Sequence, residues 1–188
     1  MRLRRRLSLA LLLFTVTIAA QTFDYRVLAT SKTSTMEKEM NQAAGAGFVF
    51  AGAMGGETGA GGKEVLVIMM KSGDEASARR KYKLLATSRT GTMQKELQQA
   101  GDEGFEYRGQ TVFESTFGGQ EVAVILERDA GTEAKRIQFK LLATSRTSTM
   151  EKELRTAGEN GFKFLGVTVG KTALGGKEVV SILQKVEP

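Results

Sequence analysis

The stretch "LLATSRTSTMEKEL", residues 141–154, occurs three times in this chain: "LLATSRTGTMQKEL" fills 84–97 and "VLATSKTSTMEKEM" fills 27–40. Other landmarks keep the same interval of 57 residues. The Ala-Thr-Ser triplet starts at Ala29, Ala86 and Ala143, the Gly-Phe pair at Gly47, Gly104 and Gly161, and the Gly-Gly pair at Gly61, Gly118 and Gly175. A fixed period of this size marks a repeat architecture in which each copy is one supersecondary unit. The units run over about 23–72, 80–129 and 137–186, joined by charged linkers.

Each copy reads as strand, helix, strand, strand. The openings "YRVLAT", "YKLLAT" and "FKLLAT" have strand composition. A helix follows, with Met36, Met40 and Ala43 at i, i+4 and i+7 and their counterparts repeating the apolar face. Ser34 with Glu37 and Ser148 with Glu151 have capping-box spacing, degraded to Gly91 with Gln94 in the middle copy. Gly47, Gly104 and Gly161 suit a left-handed helix stop, after which the next Phe folds back onto the last turn. The second strand starts "FVF", "FEY" or "FKF". A Gly-rich turn leads to a third, "EVLVIMM", "EVAVIL" or "EVVSIL", which is apolar on both faces and so belongs in the centre of its sheet. The aromatics at 25, 48 and 50 and their equivalents, including Tyr107 and Phe164, read as core by strand alternation.

One helix covers one sheet face, and a unit of about 50 residues is marginal alone. The expected fold is therefore α+β: three tandem β-α-β-β repeats, each a three-stranded sheet with one helix, packed into one compact pseudo-threefold body. The expected division is 1–20 signal peptide, 21–72 repeat 1, 73–129 repeat 2 with its linker, and 130–188 repeat 3 with its linker.

The signal-peptide reading rests on Arg2, Arg4, Arg5 and Arg6, the apolar run Leu7–Ile18 and the small pair Ala19–Ala20. It places the protein in the periplasm or outside the cell, with no membrane association after cleavage. Those four arginines account for most of the net +6; beyond them the balance is 23 basic against 21 acidic residues. Such a balance carries no concentrated basic face for nucleic acid. The chain has no His and no Cys. That removes a lipid-anchoring cysteine, the usual zinc sites, a thiolate nucleophile and an imidazole base, and no cofactor is indicated.

The openings "YRVL", "YKLL" and "FKLL", with "GFV", "GFE" and "GFK" after the helix, resemble small bacterial strand–helix–strand–strand domains that open Tyr-Lys-Val and carry Gly-Trp-Glu after the helix. Phe stands here where that family has Trp. The resemblance covers all three copies and implies a fold, without a known activity.

The strand-to-helix loops hold the candidate ligand-binding residues: Thr30, Ser31 and Lys32; Thr87, Ser88 and Arg89; Thr144, Ser145 and Arg146. Free N–H groups at a helix start, hydroxyls and a cation suit an anion, and helix capping is the competing account of the same residues. Thr35 with Lys38 and its copies imitate a Ser-x-x-Lys pair, but no companion motif or second base accompanies them. The glycine runs near Lys63 and Lys171 miss phosphate-loop spacing and read as turns. The sequence points first to a non-enzymatic binding or scaffold protein whose partner is a protein or a second copy. Its second reading is a small-ligand or anion binder, and an enzyme is third.

Overall fold

The computed structural model describes residues 22–57, 63–72, 80–114, 119–172 and 174–187. The signal-peptide reading of 1–20 therefore lies outside the described residues. Three copies of one unit follow one another: β1 (Phe23–Thr30), α1 (Thr33–Gly45), β2 (Val49–Glu57) and β3 (Lys63–Ser72); then β4 (Arg80–Thr87), α2 (Thr90–Asp102), β5 (Glu106–Glu114) and β6 (Gln120–Asp129); then β7 (Ile137–Thr144), α3 (Thr147–Glu159), β8 (Lys163–Lys171) and β9 (Lys177–Val186). The α+β class and the triplicated strand–helix–strand–strand unit are as the sequence predicts.

The sheet orders are β1-β3-β2, β4-β6-β5 and β7-β9-β8, antiparallel throughout. The most apolar strand takes the centre of each. The second strand slips register at one place in every copy, between Phe50 and Gly52, Tyr107 and Gly109, and Phe164 and Gly166. Helices stop as expected: Gly47, Gly104 and Gly161 have φ of 88°, 80° and 83°. The N–H groups of Phe48, Phe105 and Phe162 reach back to the carbonyls of Ala43, Ala100 and Ala157.

Helix starts differ from the expectation. The N-cap residues are Lys32, Arg89 and Arg146, two residues earlier than the capping-box spacing predicts, and none makes a side-chain cap bond. No capping box forms, because Ser34, Gly91 and Ser148 already lie inside the helix. The Glu37 carboxylate, free of capping duty, accepts the N–H of Leu84 in the next repeat at 2.8 Å.

The repeats form one compact body by sequential packing. The main contacts are α1 on β4 and β2 on β5, then α2 on β7 and β5 on β8. Helices α1 and α2 are thus each held between their own sheet and the next one, whereas α3 packs on its own sheet alone. One buried cluster joins Met36, Met40, Val67 and Met69 to Tyr82, Phe113 and Ile125. A second joins Met93, Leu97 and Val124 to Ile137, Phe139 and Ile182. Among the described residues nothing of comparable extent joins the first repeat to the third. The copies are alike and regularly stepped, and among the described residues they do not close into a ring.

Openness explains where the core expectations fail. In β6 every residue from Val122 to Glu127 is buried, so both faces are covered. In β3 the buried residues are Val65, Val67, Met69 and the terminal Ser72, while Ile68 on the other face is exposed, with no repeat among the described residues packed against it. Tyr25 is 57% exposed, whereas its equivalents Tyr82 and Phe139 are each 3% exposed under the preceding helix. Phe164 is likewise exposed, because no repeat among the described residues packs on that face. Tyr25 and Phe164 are therefore surface residues rather than core.

Candidate functional site

The three strand-to-helix loops have a common local form. Thr30, Thr87 and Thr144 each accept, through Oγ1, the N–H of the basic residue two positions on, at 3.1, 3.2 and 3.1 Å. These hydroxyls brace the turn instead of capping the helix. Lys32, Arg89 and Arg146 are exposed, as are Ser31 and Ser145.

Among the described residues no hydrogen bond or ion pair links one of these loops to another. The middle loop instead seats on the hairpin of the next repeat. Lys171 donates its N–H to the Ser88 carbonyl at 2.9 Å, and the Thr90 hydroxyl bonds the Glu178 carboxylate. Beside this contact lies a cleft of about 280 Å³ lined by Ser88, Val112, Glu121, Val169, Lys171 and Lys177, among others. Of the nine candidate loop residues, the structure brings only Ser88 to that cleft. Its cations are Lys171 and Lys177 rather than Arg89.

A second constellation went unread in the sequence. The Glu127 carboxylate is buried between repeats 1 and 2 and is met by Arg80, by Arg108 at 2.9 Å and by the Tyr82 hydroxyl at 2.6 Å. The Tyr82 oxygen in turn accepts the Phe50 N–H at 2.8 Å. Burial, reinforced by the bond donated to Glu127, pushes the Tyr82 phenol far above the ordinary range. A signal for this cluster existed. At the 57-residue interval, Arg80 faces Phe23 and Ile137, Arg108 faces Ala51 and Leu165, and Glu127 faces Met70 and Gln184. Three charges appear together in the middle copy alone. With Oε1 of Glu127 paired to both arginines and Oε2 accepting the Tyr82 hydroxyl, both oxygens are engaged and the cluster is a structural lock.

Among the described residues no three carboxylates gather as a metal site would require. What the geometry does offer is surface. On the outer face of the first sheet, Tyr25 pairs with Met70, Val27 with Ile68, and Leu66 with Met54, giving an apolar field across all three strands. At the other end, Phe164, Val167, Val169 and Val179 are exposed on the inner face of the third sheet, beside α3. Their equivalents in the earlier repeats are covered by the next unit. Only Ala157 of α3 is buried, against four residues in each of α1 and α2.

No family model, curated protein or solved structure matches this chain.

Proposed function

We propose that this is an exported, non-enzymatic binding or scaffold protein that works through the two apolar faces at opposite ends of its repeat stack. The observation that carries the reading is the pair of faces itself. Contiguous exposed apolar surface on a water-soluble body marks an interaction site, and here it occurs where each end repeat lacks a neighbour. The signal-like segment at 1–20 supports export. The absence of His and Cys, together with a buried carboxylate already neutralised by two arginines, argues against acid–base or nucleophilic chemistry.

The test is photo-crosslinking in cells producing the full chain, with the reactive group placed at position 27 or 158, and at exposed Lys95 on α2 as control. The reading expects protein adducts from 27 and 158 in the exported fraction and none from 95. Retention in the cytosol, or equal crosslinking at all three positions, would defeat it.

The alternative, a small-anion binder, draws support from the cleft beside Ser88 with Lys171 and Lys177 on its wall. Thermal shift against phosphate, sulfate and sugar acids tests it, with loss of any shift expected in Lys171→Ala.

A further inference from the structure

The chain makes one interface twice within itself and exposes both halves of it at its ends. In the first use, α1 lies along the free edge of β4. Asn41 accepts the Tyr82 N–H at 2.9 Å and donates to the Tyr82 carbonyl at 2.9 Å, while Glu37 takes the Leu84 N–H. In the second, α2 lies along β7. Gln98 accepts the Phe139 N–H at 3.0 Å, and Gln94 accepts the Leu141 N–H at 2.7 Å and donates to the Phe139 carbonyl at 3.0 Å. Helix side chains thus act as a surrogate strand for an edge that would otherwise be bare. The third helix carries Glu151 and Arg155 at the same two positions, both exposed and paired only with each other at 2.9 Å. The strand that would receive them is β1, whose edge residues Tyr25 and Val27 are 57% and 63% exposed.

From this correspondence we infer that α3 and the inner face of the third sheet receive β1 and the outer face of the first sheet of a second copy of the same chain, continuing the stack head to tail. These two faces continue the interface that joins the repeats internally. The outer face of sheet 1 presents Tyr25, Val27 and Ile68 where sheet 2 presents Tyr82, Leu84 and Ile125, so the pocket formed by a preceding repeat fits it in kind. A small-residue position agrees. A Cβ on Gly101 would lie 2.2 Å from the Ile137 carbonyl oxygen, because α2 approaches β7 so closely. Gly158, its counterpart in α3, has open space at the same point. Ala44, the third member, is buried against the second repeat. One difference sets the strength: Arg155 can donate to the Tyr25 carbonyl but cannot accept its N–H, as Asn41 and Gln98 do. The contact between copies therefore lacks one hydrogen bond of the internal ones and is reversible. Being heterologous, it yields rings or open fibres rather than a twofold dimer.

The inference rests on the proposed role of the end faces as binding surfaces and names their partner. The test uses the full chain expressed with its own N-terminal segment, whose retention or removal is read by mass spectrometry, and measures mass by sedimentation and light scattering. Wild type is expected to grow in mass with concentration. Tyr25→Asp, blocking one end, and Gly158→Gln, blocking the other on an open helix surface, are each expected to be monomeric with unchanged circular dichroism. An equimolar mixture of the two variants should form a species of twice the monomer mass and stop there, because each supplies the end the other lacks. Monomer at every concentration overturns the inference, including the case in which a retained N-terminal segment covers β1. So does self-association of either single variant, which would mean a symmetric contact, or a mixture that stays monomeric. In the crosslinking experiment, adducts only to a different protein would sink this inference while leaving the proposed function standing.

Discussion

Residues 41, 98 and 155 occupy one repeat position and should respond to alanine in three different ways. Asn41 exchanges two hydrogen bonds of 2.9 Å with the Tyr82 backbone and donates a third, at 2.8 Å, to the Glu37 carbonyl of its own helix. Removing the amide leaves the Tyr82 N–H and carbonyl facing a packed helix. A hydrogen bond contributes about 1 kcal/mol net, and an orphaned, partly buried backbone group costs about 1–3 kcal/mol. Asn41→Ala is therefore expected to destabilise by about 2–4 kcal/mol. Gln98→Ala loses three bonds: one accepted from the Phe139 N–H at 3.0 Å, a long one donated to the Ile137 carbonyl at 3.3 Å, and an exposed one donated to the Asp102 carboxylate at 2.9 Å, so about 1–3 kcal/mol is expected. Arg155 touches only Glu151, with side chains 71% and 76% exposed, and Arg155→Ala should cost less than about 0.5 kcal/mol. Urea unfolding of dilute protein, where end-to-end contacts are dissociated, reads the three values. With about 2–4 °C per kcal/mol for a chain of this size, Asn41→Ala should melt about 4–16 °C early. Equal losses at all three positions would refute the sequential stack, since a closed ring would bury Arg155 as deeply as Asn41.

The remaining predictions concern charges. Glu127→Ala breaks both arginine contacts and leaves the buried Tyr82 hydroxyl without its acceptor, and should cost about 1–3 kcal/mol, whereas the triple change Arg80→Ile, Arg108→Leu, Glu127→Gln, which installs the third repeat's residues, should be near neutral by denaturant midpoint. A basic N-cap is unfavourable at the positive end of a helix, and none of the three caps its helix with a side chain. Arg146→Asp is therefore expected to raise stability by about 1 kcal/mol, seen as a higher melting temperature. The Tyr82 phenol has its pKa raised by folding, so the stabilisation it represents is complete below about pH 10 and is lost as pH climbs above the unfolded value. Between about pH 9 and pH 11 wild type should lose more stability than Tyr82→Phe, measured as the change in urea midpoint.

The unit was legible because its signals are local. Strand composition, the Met36-Met40-Ala43 spacing and the Gly47 stop each act within one turn or one strand, and the unbroken apolar run of β6 announced its central place. Readings failed where a distant residue decided the outcome. Glu37 has capping-box spacing, yet its carboxylate goes to the Leu84 N–H, 47 residues away, because that edge donor has no other partner. Tyr25 shares its strand pattern with Tyr82 and Phe139; only the lack of a preceding repeat leaves it exposed, and no local pattern carries that. Convergence of Lys32, Arg89 and Arg146 was likewise a question about how repeats step, which the spacing of 57 residues does not answer. The Glu127 cluster is the intermediate case. Its three charges were visible as departures of the middle copy, but a single charge per strand reads as surface until the strands are paired.

A chain that repeats one unit faces a problem of register among its own copies, since any helix could in principle dock on any sheet. The two internal interfaces differ in a way that answers it. Between repeats 1 and 2 the contact encloses Arg80, Arg108, Glu127 and Tyr82, and Tyr82 is tied to Phe50 of the preceding copy. Between repeats 2 and 3 the corresponding positions are Ile137, Leu165, Gln184 and Phe139, which carry no charge. Placing α2 of another copy on sheet 2 would set Gln94 and Gln98 where Glu37 and Asn41 now sit, and would replace Phe50 by Tyr107 at the Tyr82 oxygen. A buried charge cluster adds little net stability, but it penalises wrong neighbours that fail to complete it. Sheet 1 carries Phe23, Ala51 and Met70 at the cluster positions, uncharged like those of sheet 3. The free end at β1 is thus matched to the kind of surface that α2 already covers and α3 leaves bare, while the charged joint between repeats 1 and 2 is kept out of the competition.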